Sequence, residues 1–138
     1  MSNVEVKIEM ENKSESKRKF DLEDRLIEFS ISNIEITESL INSRAGNYYA
    51  GQLIRSGSAP ALQYGEAQSA ESRNDFIHKL KILLKELRET KVILKIIIKA
   101  TLTNKIDLAK KELKECDELV SIFVKSIDTA RKNNISGN

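Results

Sequence analysis

From Phe76 to Ala130 apolar side chains return every three or four positions, and this period constrains the 138-residue chain more than any other feature. Phe76, Leu80, Leu83, Leu87, Leu94 and Ile98 fall on one side of a helix predicted to run from Ser72 to about Ala100. Ile106, Ala109, Leu113, Cys116, Val120, Phe123, Ile127 and Ala130 repeat the spacing of a bundle seam over a helix from about Lys105 to Arg131. Stripes of this length can be buried only against other helices. Two start signals support the boundaries. Ser72 and Asp75 make a Ser-x-x-Asp beginning just before Phe76 and Ile77, and Asn104 with Asp107 offers a weaker one after the Leu102–Asn104 turn.

Two more helices are legible upstream. The first starts at Asp21, whose carboxylate suits the amide of Asp24 and the positive end of the helix dipole. At 100° per residue its apolar positions separate into two sides. Ile27, Ile31, Ile34 and Ile41 form one; Leu22, Leu26, Phe29, Ile36 and Leu40 form the other. A helix packed only within its own subunit needs one stripe, so the second points to contact with another subunit or to deep burial. A turn over Ser43–Asn47, containing Gly46, leads to a second helix from about Tyr48 to Gln68. There Gly57, Ala61 and Gly65 recur every four residues and leave one face almost bare for a close neighbour. Pro60 lies inside the same segment, cannot donate to the Ser56 carbonyl, and predicts a kink or a split. Short connections between four helices imply an all-α, antiparallel up-down four-helix bundle over 20–131. Residues 1–19 read as a flexible tail, although Val4, Val6, Ile8 and Met10 alternate as in a strand. Residues 132–138 read as a frayed end.

Catalysis and metal binding need constellations that the sequence does not offer. Cys116 is the sole cysteine and His78 the sole histidine. Asp75-x-x-His78 is therefore half of a bundle metal motif without its second half, and it reads as a polar surface pair. Cys116 lies on an apolar seam and reads as a small core residue. There is no glycine-rich phosphate loop and no nucleophile elbow, so the expectation is a non-enzymatic protein with no catalytic residues, cofactor or metal. The N-terminal residues lack the apolar core of a signal peptide, and Lys95 and Lys99 interrupt the most apolar stretch, Val92 to Ala100. A cytoplasmic protein with no membrane association is expected.

The net charge of +2 argues little about partners, but the placement of the cations does. Lys81, Lys85, Arg88, Lys95 and Lys99 project along one side of the third helix, a stripe suited to electrostatic, sequence-tolerant binding of RNA or DNA. The alternative is an ordinary solvated face, partly neutralised by Glu86 and Glu89. Base stacking has only Tyr48, Tyr49 and Tyr64 to draw on.

From Arg55 onward the residues resemble a known family. Arg55-Ser56-Gly57-Ser58-Ala59, then Tyr64-Gly65-Glu66-Ala67, resembles the Arg-Ser-Gly-Thr-Ser and Tyr-Arg-Glu-Ala elements of the bacterial four-helix-bundle proteins encoded in 23S ribosomal RNA intervening sequences. Ser72, Asp75-Phe76-Ile77 and Lys79-Leu80-Lys81-Ile82 resemble that family's Ser-x-x-Asp-Phe-Ile-x-Lys-Leu helix start, and the likeness covers about residues 20 to 131. Pro60 stands where the family has Val, and Gln63 where it has Asn. The resemblance implies a homo-oligomer, commonly a pentameric ring. It extends to the accessory variability determinant of diversity-generating retroelements, which implies nucleic acid and a reverse transcriptase as partners. Arg55 and Glu66 are eleven residues apart on nearly one helix face, which makes a structural pair of them. With Gly57, Tyr64, Ser72, Asp75 and Phe76 they read first as determinants of the fold. Two functions follow: a homo-oligomeric accessory protein binding nucleic acid through the third helix, or a structural or protein-interaction scaffold that binds none.

Overall fold

The computed structural model describes residues 22–136, and the predicted tail over 1–19 and the Asp21 cap lie outside them. Four helices follow one another: α1 over 22–38, α2 over Arg44–Gln68, α3 over Arg73–Lys99 and α4 over Ile106–Ser136. Ion pairs and hydrogen bonds fix their directions. Arg55 of α2 meets Glu86 and Glu89 of α3, while Glu66 meets Lys79, so these two helices are antiparallel. Lys91 of α3 reaches Asp117 of α4, and α1 runs back along α4 from the Glu35–Lys105 pair to Arg25, which bonds Glu115 and Glu118. Asn33 and Ser30 of α1 both reach the Gly57 carbonyl of α2 and close the ring of neighbours. The result is an up-down-up-down bundle.

The core fills from all four helices. Leu26, Phe29 and Ile36 enter from α1, and Leu53 and Tyr64 from α2. Leu80, Leu83, Leu87, Leu94 and Ile97 come from α3, with Cys116, Leu119 and Phe123 from α4. Phe76 and Ile98, placed by period on the α3 seam, pack at its edge. Ile77, Leu84 and Ile93 widen the buried face beyond the single stripe, because α3 has both α2 and α4 as neighbours.

Several boundaries differ from expectation for local reasons. The Ser43–Asn47 segment is largely the first turn of α2: Ser43 is the N-cap and its hydroxyl accepts from the Gly46 amide at 3.0 Å. Gly46 is needed because the Ile41 carbonyl lies against it, leaving no room for a Cβ. Pro60 does not split α2, which runs unbroken from Arg44 to Gln68 with Pro60 on its buried side. Ser72 caps α3 as expected, with Asp75 accepting from the Glu71 amide in return. Before α4 the side-chain oxygen comes from Thr103, which accepts from the Lys105 amide, and not from Asn104. At its far end α4 continues to Ser136, five residues past Arg131. The turns at 39–43 and 100–105 brace each other through an isolated bridge between Leu40 and Thr103.

Candidate nucleic-acid interface

Three of the five cations on the predicted stripe are gathered by the fold, and α4 adds two more. Lys81, Lys85 and Arg88 line one wall of an open groove of about 940 Å³, and Lys125 and Arg131 of α4 line the other. Leu84, Val124 and Ile127 give it an apolar floor. Asp128 is the one acid on the rim, and Lys132 occupies it at 3.1 Å. Lys95 and Lys99 continue exposed along α3 but do not line this groove.

The alternative reading of the stripe has Glu86 and Glu89 partly neutralise it. Both acids turn to the α2 side, where Arg55 takes them. Arg55 and Glu66 therefore do not pair with each other, since each finds its partner on α3 and not along its own helix. The α3–α4 groove is thus lined by five cations and a single acid, and cations so placed suit phosphate oxygens through charge-assisted hydrogen bonds. No aromatic side chain lines it, so bases have no stacking platform there. Tyr64 is buried edge-on to Phe123, and Tyr48 and Tyr49 meet edge to face near the start of α2.

The remaining singled-out residues hold the fold. Gly57 lets Asn33 approach, Ser72 and Asp75 cap α3, and Phe76 packs at the core edge. Cys116 is fully buried and donates to the Leu87 carbonyl; burial in the seam pushes its thiol up to about 12, out of reach of thiolate chemistry at neutral pH. Among the described residues no group of three or more His, Cys, Asp or Glu side chains could hold a metal ion, and His78 is exposed. No helix among them is long and apolar enough to cross a membrane.

The other conspicuous surface is apolar. Ile27, Ile31 and Ile34 stand at 42%, 51% and 42% exposure along the outside of α1, the second stripe seen in the sequence. On α2, Ile54 and Leu62 are exposed as well. Gly51 and Gly65 have nothing within 4 Å of where a Cβ would stand, so the exposed side of α2 is low there.

No family model and no curated protein matches the chain. Among solved structures, the chain is similar to a protein of unknown function from the S23 ribosomal protein family of Bacteroides thetaiotaomicron. The two share 28% identity and a TM-score of 0.69, over 76% of this chain and 96% of that one.

Proposed function

We propose that the chain is a non-enzymatic, homo-oligomeric bundle that holds the sugar-phosphate backbone of RNA or DNA in the α3–α4 groove. The observation that carries this reading is five cations from two helices lining one groove, with Glu86 and Glu89 of α3 committed elsewhere to Arg55. Recognition of this kind is electrostatic and indifferent to sequence, which suits a groove without aromatic rings. The exposed isoleucine stripe on α1 supports assembly, since contiguous apolar surface of this kind marks an interaction face. Assembly multiplies the groove, and repeated weak phosphate contacts then add by avidity. A pentameric ring is the form that the family resemblance implies, and a reverse transcriptase is the protein partner it suggests.

Binding of a fluorescent mixed-sequence RNA, followed by anisotropy across a salt series, tests the reading. Affinity is expected to fall steeply with salt, with a log–log slope of about −0.7 per phosphate contacted on a single strand. Charge reversal at Lys85, Arg88 and Lys125 together should abolish most of the binding, whereas reversal at Lys95 and Lys99 should weaken it less. Absence of salt-sensitive binding in the unaltered protein would favour the scaffold reading instead.

A further inference from the structure

The α3–α4 groove joins two surfaces of different chemistry. Its rims are cationic, and its floor is Leu84, Val124 and Ile127. Leu84 and Ile127 are 8% and 5% exposed and belong to the core, whereas Val124 stands 43% exposed between the charged walls. Phosphate binding by itself has no use for such a floor. A phosphate pressed onto it would give up water and meet no hydrogen-bond donor. The floor suits the apolar faces of bases and sugars instead. In a duplex the base faces are stacked on one another; in a single strand they are free to turn toward the protein.

The width of the groove points the same way. α3 and α4 pack directly on each other, and packed helices stand about 8–10 Å apart between axes. The major groove of a duplex alone is about 12 Å wide. A duplex therefore spans the two rims, and the part of it that dips between them is a ridge of phosphates. One strand is narrow enough to enter. Along α3 the cations Lys81, Lys85 and Arg88 succeed one another at rises of about 6 and 4.5 Å, a wall that successive phosphates of one strand can follow.

We propose that the groove selects a single strand over a duplex, holding phosphates at its cationic rims and laying bases or sugars on Val124. This rests on the groove's binding nucleic acid at all, and it specifies the form that is bound. Electrostatics alone gives the opposite preference. A duplex carries one charge per about 1.7 Å, and its binding is coupled to salt by about −0.9 per phosphate, against about −0.7 for a single strand. Preference for the strand is thus the signature of the floor. Every base has an apolar face, so selection of this kind reads strand form and not sequence.

The test uses the full chain, a short labelled RNA strand without self-complementarity, and the same strand annealed to its complement. Both are titrated by anisotropy at one salt concentration. The single strand should bind at least about fivefold tighter, the lower end of what one base contributes by contact with a side chain. Val124→Ser, at an exposed position outside the core, should weaken the strand about threefold, leave its salt slope unchanged and leave the duplex unaffected. Salt-sensitive binding in which the duplex is held as tightly as the strand, or more so, would overturn the proposal while the nucleic-acid reading stands. A strand preference that Val124→Ser leaves intact would overturn it too, since the floor would have no part in it. Absence of salt-sensitive binding to either form would remove both.

Discussion

Asn33 of α1 lies directly on the backbone of Gly57 in α2: a Cβ on Gly57 would stand 2.6 Å from Asn33 Nδ2, the atom that donates to the Gly57 carbonyl. The small residue at this point sets how closely the two helices approach. Gly65, two turns along the same helix, has open space where its Cβ would be. Alanine at either site gains about 1 kcal/mol of helix propensity. At Gly65 that gain should appear as higher stability in urea denaturation. At Gly57 the displacement of buried Asn33 outweighs it, and net destabilisation of about 1–3 kcal/mol is expected. Equal effects at the two sites would show that the close approach is unimportant.

Thr90 and Ser56 give a test of buried polar pairing. The Thr90 hydroxyl sits within reach of both the Ser56 hydroxyl, at 2.9 Å, and the Glu86 carbonyl, at 2.8 Å, and both residues are fully buried. Thr90→Val leaves the Ser56 hydroxyl without its partner and should cost about 1–3 kcal/mol. Adding Ser56→Ala removes the stranded group as well. The double variant should therefore be less destabilised than the sum of the singles, by a coupling of about 1 kcal/mol in a double-mutant cycle.

Glu112 makes stability depend on pH in a direction opposite to ordinary carboxylates. It is 4% exposed, and its Oε2 has no hydrogen-bond partner. Burial, with Glu115 nearby adding to it and Lys111 opposing, pushes the carboxyl up to about 9 from its ordinary 4.5. Between these values the folded protein holds a proton that the unfolded chain releases. Its contribution is therefore full below about 4.5, declines as pH rises through the window, and levels off above about 9. Glu112→Gln removes this dependence. At pH 8 the variant should be more stable than the parent by about 2–4 kcal/mol, and the difference should shrink toward pH 4.5. A constant difference across that range would contradict a buried, protonated Glu112.

The legible and illegible parts of the molecule divide along local and non-local causes. The Ser72 cap, most of the α3 and α4 seams and the two stripes of α1 as far as Ile36 are written in spacing within one helix; Leu40 and Ile41, read as the ends of those stripes, fall in the turn after α1, and Phe76 and Ile98 pack only at the edge of the core. Partners on a neighbouring helix are not written that way. Arg55 and Glu66 share a helix face, but α3 offers each a partner at closer reach. The α3–α4 groove needed Lys125 and Arg131, which share no helix with Lys81 and become visible only once the two helices are laid side by side. Gly46 has the composition of a turn, and the Ser43 cap draws it into a helix. Glu112 did leave a signal: it precedes Cys116, Leu119 and Phe123 by four, seven and eleven residues, the spacing of the buried face, and its charge concealed it.

The exposed stripe of α1 yields the sharpest test of assembly. Ile31 and Ile34 are half exposed in the subunit, so replacing both by Asp removes little buried area within it, and the subunit's own stability should change by about 0.5 kcal/mol or less at each site. If the stripe is an interface between copies, the same double variant buries two charges at each contact and should dissociate the oligomer. Sedimentation equilibrium at micromolar concentration reads this directly: the parent should run as a multiple of the 15.6 kDa chain and the variant as a single copy. Helical content by circular dichroism should be unchanged, which separates loss of assembly from loss of fold. A parent protein that sediments as a stable, folded monomer would remove the assembly reading, and with it the avidity on which the weak phosphate contacts of the α3–α4 groove depend.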